Sequence, residues 1–470
     1  MLDGLLSTRQ KPHPPRDRLA FHRGITVALQ RATGRALVGT VLGNIPGFIL
    51  PFAVALHFRI GHLTDAYAFS LSVAVFASGV FSVVLQANVL PILQRMKHLG
   101  RIAFVKRLRA ITMGSLGVVG VFYSIVAVAS LFYIDHHSNW TAEQHELLWT
   151  TTVVFAVFVV ANAINSLLSA GLNALDSFLA PAATQALKSL APIAVIAFVS
   201  RDFDGLLLIA CLIAAGELLQ TLVLCALLAV ALRSLPTRVP PDGYDKEFPL
   251  WRVATPHGFS MVIAAASPLV DRGVAATLAA GSVTLVDLGE KVFLVPLTII
   301  SASFVLVAGT HWANIVTSDI PQLGQHFWRT IVRGGFVCVV LLIGTCVGLA
   351  VFAAIAGQTF AGAPTEKLIV IIALLLAGLP GAFIISAGSR LLTSTRSTYL
   401  LPWFAVCSLG LNILFDVLGA RWFGVEGIAL ASTIFRCVTA SLLLIVIRRL
   451  LKTGFRGLFS LAPTSPPPPA

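Results

Sequence analysis

The sequence predicts an all-α polytopic membrane protein: about twelve transmembrane helices in two six-helix lobes with a central cavity. Three observations predict it. The 470 residues are 57% hydrophobic and only 11% charged, with a mean hydropathy of +0.89, unlike a water-soluble chain. Twelve stretches approach the roughly 20 apolar residues that a helical span needs, and most connections are too short to hold a folded soluble module. An offset of 217 residues carries the span starting near 36 onto the one near 253, and Ser169-Ala170-Gly171 onto Ser386-Ala387-Gly388. No soluble ATPase domain fits, and there is no GxxxxGKS/T loop, HExxH or paired CxxC. The chain is therefore read as not an enzyme, with no catalytic and no metal-ligating residues.

Residues 1–35 carry seven basic residues and several prolines before any apolar run, the wrong order for a cleaved signal peptide, and are read as a cytoplasmic basic segment. Within them Phe21, Ile25 and Leu29 repeat every four residues, fitting either an amphipathic helix on the bilayer surface or a disordered basic tail. The N-terminal lobe, 36–232, holds apolar runs near 36–58, 66–93, 111–133, 148–172, 181–200 and 206–232. Gly43-Asn44-Ile45-Pro46-Gly47 and Pro51 predict an interruption of the first. Residues 233–252, rich in proline and charge, read as a cytoplasmic linker. The C-terminal lobe, 253–447, holds runs near 253–273, 284–311, 335–357, 368–388, 399–417 and 425–447, with Gly378-Leu379-Pro380-Gly381 interrupting the tenth. Residues 448–470 form a cytoplasmic tail ending in a proline-rich, disordered segment.

Orientation follows from the basic residues. With the N-terminus inside, all but seven of the 33 Lys and Arg residues lie in or beside cytoplasmic segments; the exceptions are Arg59, Arg201, Arg272, Lys291, Lys367, Arg421 and Arg436. The loop 94–109 holds six positive charges, whereas 134–147 holds none and carries Asp135, Glu143 and Glu146. Both termini are thus expected in the cytoplasm, and topology rather than nucleic-acid binding accounts for the net charge of +13. Two lobes that each begin on the same side form a parallel repeat, which predicts a substrate site at the interface between lobes. All six cysteines fall in apolar stretches and behave as small hydrophobes.

Charged groups inside the hydrocarbon cost about 2.5–3.5 kcal/mol each on insertion scales, so each needs a reason. Asp271 and Arg272 end the seventh span; Asp287, Glu290 and Lys291 lie in the first turns of the eighth, where helical spacing puts all three on one face. They form either an ion-paired tether between two helices or a polar cavity wall in which Lys291 and Arg272 attract an anion while the carboxylates gate or couple. Arg436 lies too deep in the last span to snorkel and must face protein or water, with Asp416 on the eleventh span as its candidate partner. Glu217, between Gly216 and Leu218 in the sixth span, is either an interhelical hydrogen-bonding group or a proton- or cation-coupling residue.

These residues also carry a resemblance. Thr64-Asp65-Ala66-Tyr67 with Leu90-Pro91-Ile92-Leu93 resembles the opening and ending of the second helix in the lipid II flippase (MurJ, MviN) family. Gly281-Ser282-Val283-Thr284, then Glu290-Lys291 and Pro296-Leu297, resembles that family's GSVS, acid-Arg and LP pattern. Gly171-Leu172-Asn173-Ala174-Leu175, Leu391-Leu392 and the run Gly424 to Ala431 are similar to further family landmarks, so the resemblance spans about 36–447. It implies the MOP superfamily of lipid-linked saccharide exporters and multidrug extruders, with a MATE-like fold. It further implies that Lys291 stands where the family has a headgroup-binding cavity arginine, Glu290 at its acidic neighbour, and Asp65 at the aspartate of the second helix. The chain departs from the pattern at Thr40-Val41-Leu42-Gly43, where the family has an arginine, near Phe76 and Ala77, which replace paired arginines, and in having twelve helices where the family usually has fourteen.

The expected function is therefore a flippase or exporter that moves a polyprenyl-pyrophosphate-linked saccharide, a cell-wall or exopolysaccharide precursor, across the bacterial inner membrane by alternating access. Lys291, Arg272 and Arg436 are the candidate headgroup ligands; Asp65, Glu217, Asp271, Asp287, Glu290 and Asp416 are the candidates for coupling or gating. No cofactor is expected beyond coupling to Na+, H+ or the membrane potential. The expected partners are the lipid-linked substrate, membrane lipids and polysaccharide-assembly proteins, without nucleic acid. Two alternatives stand beside this reading: a MATE-like drug or cation antiporter, and a non-transporting membrane scaffold for polysaccharide assembly.

Overall fold

A computed structural model of the chain describes residues 39, 42–238, 250–315, 320–356, 363–395 and 397–453. The segment around Phe21–Leu29, Thr40 and Val41, most of the central linker and the proline-rich end lie outside the described residues. The described residues are helical throughout, with no strand among them. In the first half, α1 is Leu42–Phe58, α2 His62–Leu99, α3 Arg101–His137, α4 Ala142–Ala174, α5 Leu179–Phe198 and α6 Phe203–Ala231. In the second half, α7 is Leu250–Ala275 and α8 is Ser282–Ile300, continued by a π-helical turn, Ser301–Val305, into Leu306–Ile315. Next, α9 is Ile320–Ala356 and α10 is Thr365–Ser394. The 53-residue segment Leu401–Thr453 doubles back at Gly424 (φ 65°, ψ −139°) into two arms, α11 (401–423) and α12 (425–453).

Apolar surface faces outward along these helices. Met113, Val121, Ile125, Val128 and Phe132 form an exposed stripe on α3. In water such a stripe would be an aggregation hazard, whereas in lipid it is the face a spanning helix must present. Inward, α2 packs on α4, α4 on α6 and α5 on α6; in the second half α7 packs on α11 and α12, and α10 on α8, α9 and α12. The halves meet where α2 packs on α7 and α8, and α3 on α7.

Local chemistry sets the ends. Thr141 and Gln144 form a reciprocal capping box at the start of α4. Asp202 caps α6 by accepting the Gly205 N–H at 3.0 Å. The Ser200 hydroxyl and that N–H hold the Asp202 carboxyl below its ordinary range. The break expected at Gly378-Leu379-Pro380-Gly381 is present, one helix ending at Ala377 and the next starting at Leu379.

Two expectations need correction. Pro46 and Pro51 do not interrupt α1, which is continuous over Leu42–Phe58. What the glycines do there is permit contact: Gly39, Gly43 and Gly47, one turn apart, face α5, and a Cβ on Gly43 would overlap the carbonyl oxygen of Ala182. The basic stretch 94–109 is not a loop either. Helices α2 and α3 run through it with Gly100 alone between them, at φ 103°, because the long basic side chains reach water from helices that outlast the apolar slab.

Candidate functional site

Three clusters of buried polar groups in or beside the second half gather most of the charged residues singled out above. The first fastens the halves together. Asp65, in the first turn of α2 and 3% exposed, reaches the start of α8. Its Oδ2 accepts the Gly281 N–H at 2.6 Å, and its Oδ1 accepts the Thr284 N–H at 2.8 Å and the Thr284 hydroxyl at 2.7 Å. A carboxylate from one half thus caps a helix of the other, at the end where unpaired N–H groups and the helix dipole favour negative charge. Gly281 is required there: it sits at φ 90°, and a Cβ would meet Ile60 Cγ2 at 2.7 Å. Nearby, Trp140 Nε1 donates to Ala276 O at 3.0 Å, so the same end of the seam carries a second polar link.

The second cluster is an ion network on α7 and α8. Arg272 donates from Nη2 to Asp287 Oδ1 at 2.7 Å, and the same nitrogen lies 2.8 Å from Glu290 Oε2. Its Nε reaches Asp287 Oδ1 at 3.2 Å and its Nη1 the Pro268 carbonyl at 2.8 Å. All of Arg272's nitrogens therefore have partners, which makes it a tether between α7 and α8 rather than a free anion ligand. Lys291 is different. Its side chain is 25% exposed and its Nζ stands 4.0 Å from Asp287 Oδ1, an outer member of the network whose close contacts belong to Arg272.

The third cluster joins α7, α11 and α12. Asn412 Nδ2 donates to Asp271 Oδ1 at 2.7 Å and to Asp416 Oδ2 at 3.0 Å, and the Ser432 hydroxyl donates to Asp271 Oδ2 at 2.9 Å. All four side chains are at most 1% exposed, and Asn412 Oδ1 and Asp416 Oδ1 have no hydrogen-bond partner. No three His, Cys, Asp or Glu side chains converge among the described residues as a transition metal would need. The acceptors left free in this set are both oxygens, suited to a hard cation or a shared proton.

Arg436 does not pair with Asp416: no ion pair within 4.0 Å joins them. Its guanidinium stacks over the Phe293 ring, 4.2 Å from the centroid, and its Nη1 is buried without a hydrogen-bond partner. Arg436, Glu290 and Phe293 line a cavity of about 960 Å³ whose walls come from α7, α8, α10, α11 and α12, all in the second half. Arg390 and Tyr399 line it too, and neither was singled out in the sequence. Arg390 sits near the end of a span where a basic residue reads as topology; only its place on the wall of the cavity that Arg436 also lines marks it. The one sequence clue is its spacing, four residues from Ser386 and Ser394, which puts polar groups on one face of α10. In the first half, Phe76 and Ala77 contribute no cation: Phe76 packs against the Phe122 ring and Ala77 is fully buried. Glu217 lies apart from these clusters, within the first half.

Solved structures of similar fold are membrane transporters. A lipid II flippase MurJ in an inward closed conformation superposes with a TM-score of 0.67 at 19% identity, covering 90% of each chain. A MOP superfamily transporter from Pyrococcus furiosus, described as having a binding pocket of reversed polarity, gives 0.62 at 14% identity over 90% of this chain and 96% of that one. An outward-facing multidrug resistance MATE transporter gives 0.61 at 14% identity over 90% and 96%. No curated protein matches by sequence. The family model for the lipid II flippase MurJ matches residues 54–462, most of both halves, and the chain belongs to that family of integral inner-membrane proteins.

Proposed function

We propose that the chain is a flippase for a polyprenyl-pyrophosphate-linked saccharide, a precursor of cell wall or exopolysaccharide, working by alternating access between its two halves. The observation that carries this reading is Arg436: a buried guanidinium with an unpartnered N–H, on the wall of a cavity that also holds Arg390. A buried donor without an acceptor is costly, and a phosphate oxygen supplies the missing acceptor with a charge-assisted bond. Lys291 is outside that cavity lining and 4.0 Å from Asp287, so its part in holding a headgroup rests on the resemblance to the family's arginine. A cationic drug suits the cavity poorly, since Arg436 occupies the face of Phe293 that would attract it. The absence of cations at Phe76 and Ala77 favours a headgroup other than that of lipid II.

In this reading the Asp65 bonds to α8 close the outer side, and both termini lie in the cytoplasm, as the basic residues argue. Asp271, Asn412, Asp416 and Ser432 hold the coupling cation. Its two bare oxygens would gain a partner when the cation binds, and α7, α11 and α12 would be drawn together. The test is binding of undecaprenyl pyrophosphate to the purified full chain in nanodiscs, with export of lipid-linked saccharide in cells alongside. Arg436→Gln and Arg390→Gln should each weaken binding about tenfold, the loss of one charge-assisted bond. Unchanged affinity in both variants would refute the headgroup assignment.

A further inference from the structure

The first half holds a buried polar cluster that the flippase reading leaves unused. Glu217 on α6 is fully buried. Its Oε1 accepts from Asn162 Nδ2 and from Asn165 Nδ2, each at 2.9 Å. Asn165 Nδ2 also donates to the Glu217 backbone carbonyl at 3.1 Å. Behind these, Ser82 on α2 donates to Asn162 Oδ1 at 2.8 Å and receives a bond from Ser166 at 2.7 Å. Three buried oxygens on α4 and α6 have no donor at all: Glu217 Oε2 and Asn165 Oδ1 in this cluster, and Gln220 Oε1 one turn along α6 from Glu217.

The orientation of the amides is fixed by their partners. Both groups that Asn165 Nδ2 contacts are acceptors, so exchanging its nitrogen and oxygen would set oxygen against oxygen twice; Oδ1 is therefore the free atom. Glu217 Oε1, an acceptor, fixes Asn162 in the same way. Gln220 follows Glu217 by three residues on α6, is 3% exposed and lies on the adjacent row of the same face. Lys188, whose backbone lies against Gly216, makes no ion pair with Glu217.

Three bare oxygens decide between ligands. One proton on Glu217 satisfies Oε2 and donates to at most one further oxygen, leaving another orphan; a metal cation accepts several oxygens at once. One carboxylate with neutral amides balances a single positive charge, whereas a divalent ion gathers more carboxylates and six or more oxygens. We propose that Glu217, Asn165 and Gln220 form a binding site for a small monovalent cation of the Na+ class in the first half. Its helices, α4 and α6 with α2 behind them, differ from the α7, α11 and α12 of the second-half cluster, so the two sites are separate in structure and in test.

The experiment is Na+ titration of the purified full chain in nanodiscs by calorimetry, together with the thermal shift in NaCl against choline chloride. Wild type should bind two Na+ per chain. Asp416→Asn should leave one, and adding Glu217→Gln to it should remove the rest. Gln220→Leu, which deletes one ligand oxygen from a helix that tolerates leucine, should weaken the first-half site at least fivefold while raising thermal stability in choline; an unpartnered oxygen outside the site would give the stability gain without the loss of Na+ affinity. Na+ binding in the Asp416→Asn chain that is indifferent to both Glu217→Gln and Gln220→Leu overturns the proposal. So does proton uptake at Glu217 with no Na+ dependence. Failure of the second-half site alone shows as a single Na+ lost with Glu217→Gln and unaffected by Asp416→Asn.

Discussion

Replacing Asp65 with alanine removes three hydrogen bonds from one buried carboxylate: those from the Gly281 N–H, the Thr284 N–H and the Thr284 hydroxyl. Bonds to a charged acceptor are worth about 1.5–3 kcal/mol each, but three that share a carboxylate form and break together and do not add. A total near 3 kcal/mol is a fair value, which moves the equilibrium between closed and open seam roughly 100-fold toward open. Asp65→Asn keeps one acceptor oxygen but sets an NH2 against one of the N–H donors, so its effect should be near tenfold. Ile60 lies against Gly281 and reports the opening. In a background without the six native cysteines, Ile60→Cys should react with a membrane-impermeant maleimide about 100-fold faster when combined with Asp65→Ala. Equal rates in chains of equal abundance would show that Asp65 is not what holds this end shut.

Other outcomes follow from the same geometry. Lys291→Ala should abolish export at normal membrane abundance, because Arg272 keeps its close contacts to Asp287 and Glu290, while Lys291→Arg should retain much of it; normal export by the alanine variant counts against a headgroup role. Arg272→Met strands two buried carboxylates at a cost of about 3–5 kcal/mol, so abundance and Tm should both fall, and Asp287→Asn with Glu290→Gln added should restore them. Gly43→Leu should prevent α1 from seating on α5, seen as loss of folded protein by fluorescence-detected gel filtration. Reporter fusions after Gly100, Ser234 and Thr453 should read cytoplasmic and one after Ser138 periplasmic; an inside signal at Ser138 reverses the assigned orientation.

Much of this is legible in the sequence, for a physical reason: a bilayer accepts few arrangements, so apolar length and basic loops go far toward fixing spans. Charge inside a span is likewise conspicuous, and Arg272, Asp287, Glu290 and Arg436 stand out for that reason, whereas Asp65 stands out only through the family resemblance. The pairings of these groups do not stand out. Arg272 and Lys291 looked alike as cations, and only the side-chain paths separate the tether from the available charge. Arg436 seemed matched to Asp416 by depth, yet it takes the Phe293 ring while Asp416 shares Asn412 with Asp271. Asn162, Asn165, Asn412 and Ser432 were invisible, since a neutral amide or hydroxyl in a helix costs too little to attract notice. The spacing of Asn412 and Asp416, one helical turn apart, was the available clue. Pro46 and Pro51 misled because in lipid a helix accommodates proline where small neighbours let another backbone close in.

The seam also has the mechanics of a long lever with a brittle catch. Asp65 sits at one tip of α2, and Gly258 of α7 touches Val84 nineteen residues along it, about 29 Å away at 1.5 Å per residue. A hydrogen bond is lost once its atoms part by roughly 1 Å beyond the ordinary range. Over that arm, 1 Å is a swing of about two degrees. All three bonds therefore break within one small rotation, and there is no stable ajar position between latched and free. If the halves alternate as proposed, opening of this end is a snap rather than a glide, timed by rupture of the catch and not by the distance the halves later travel.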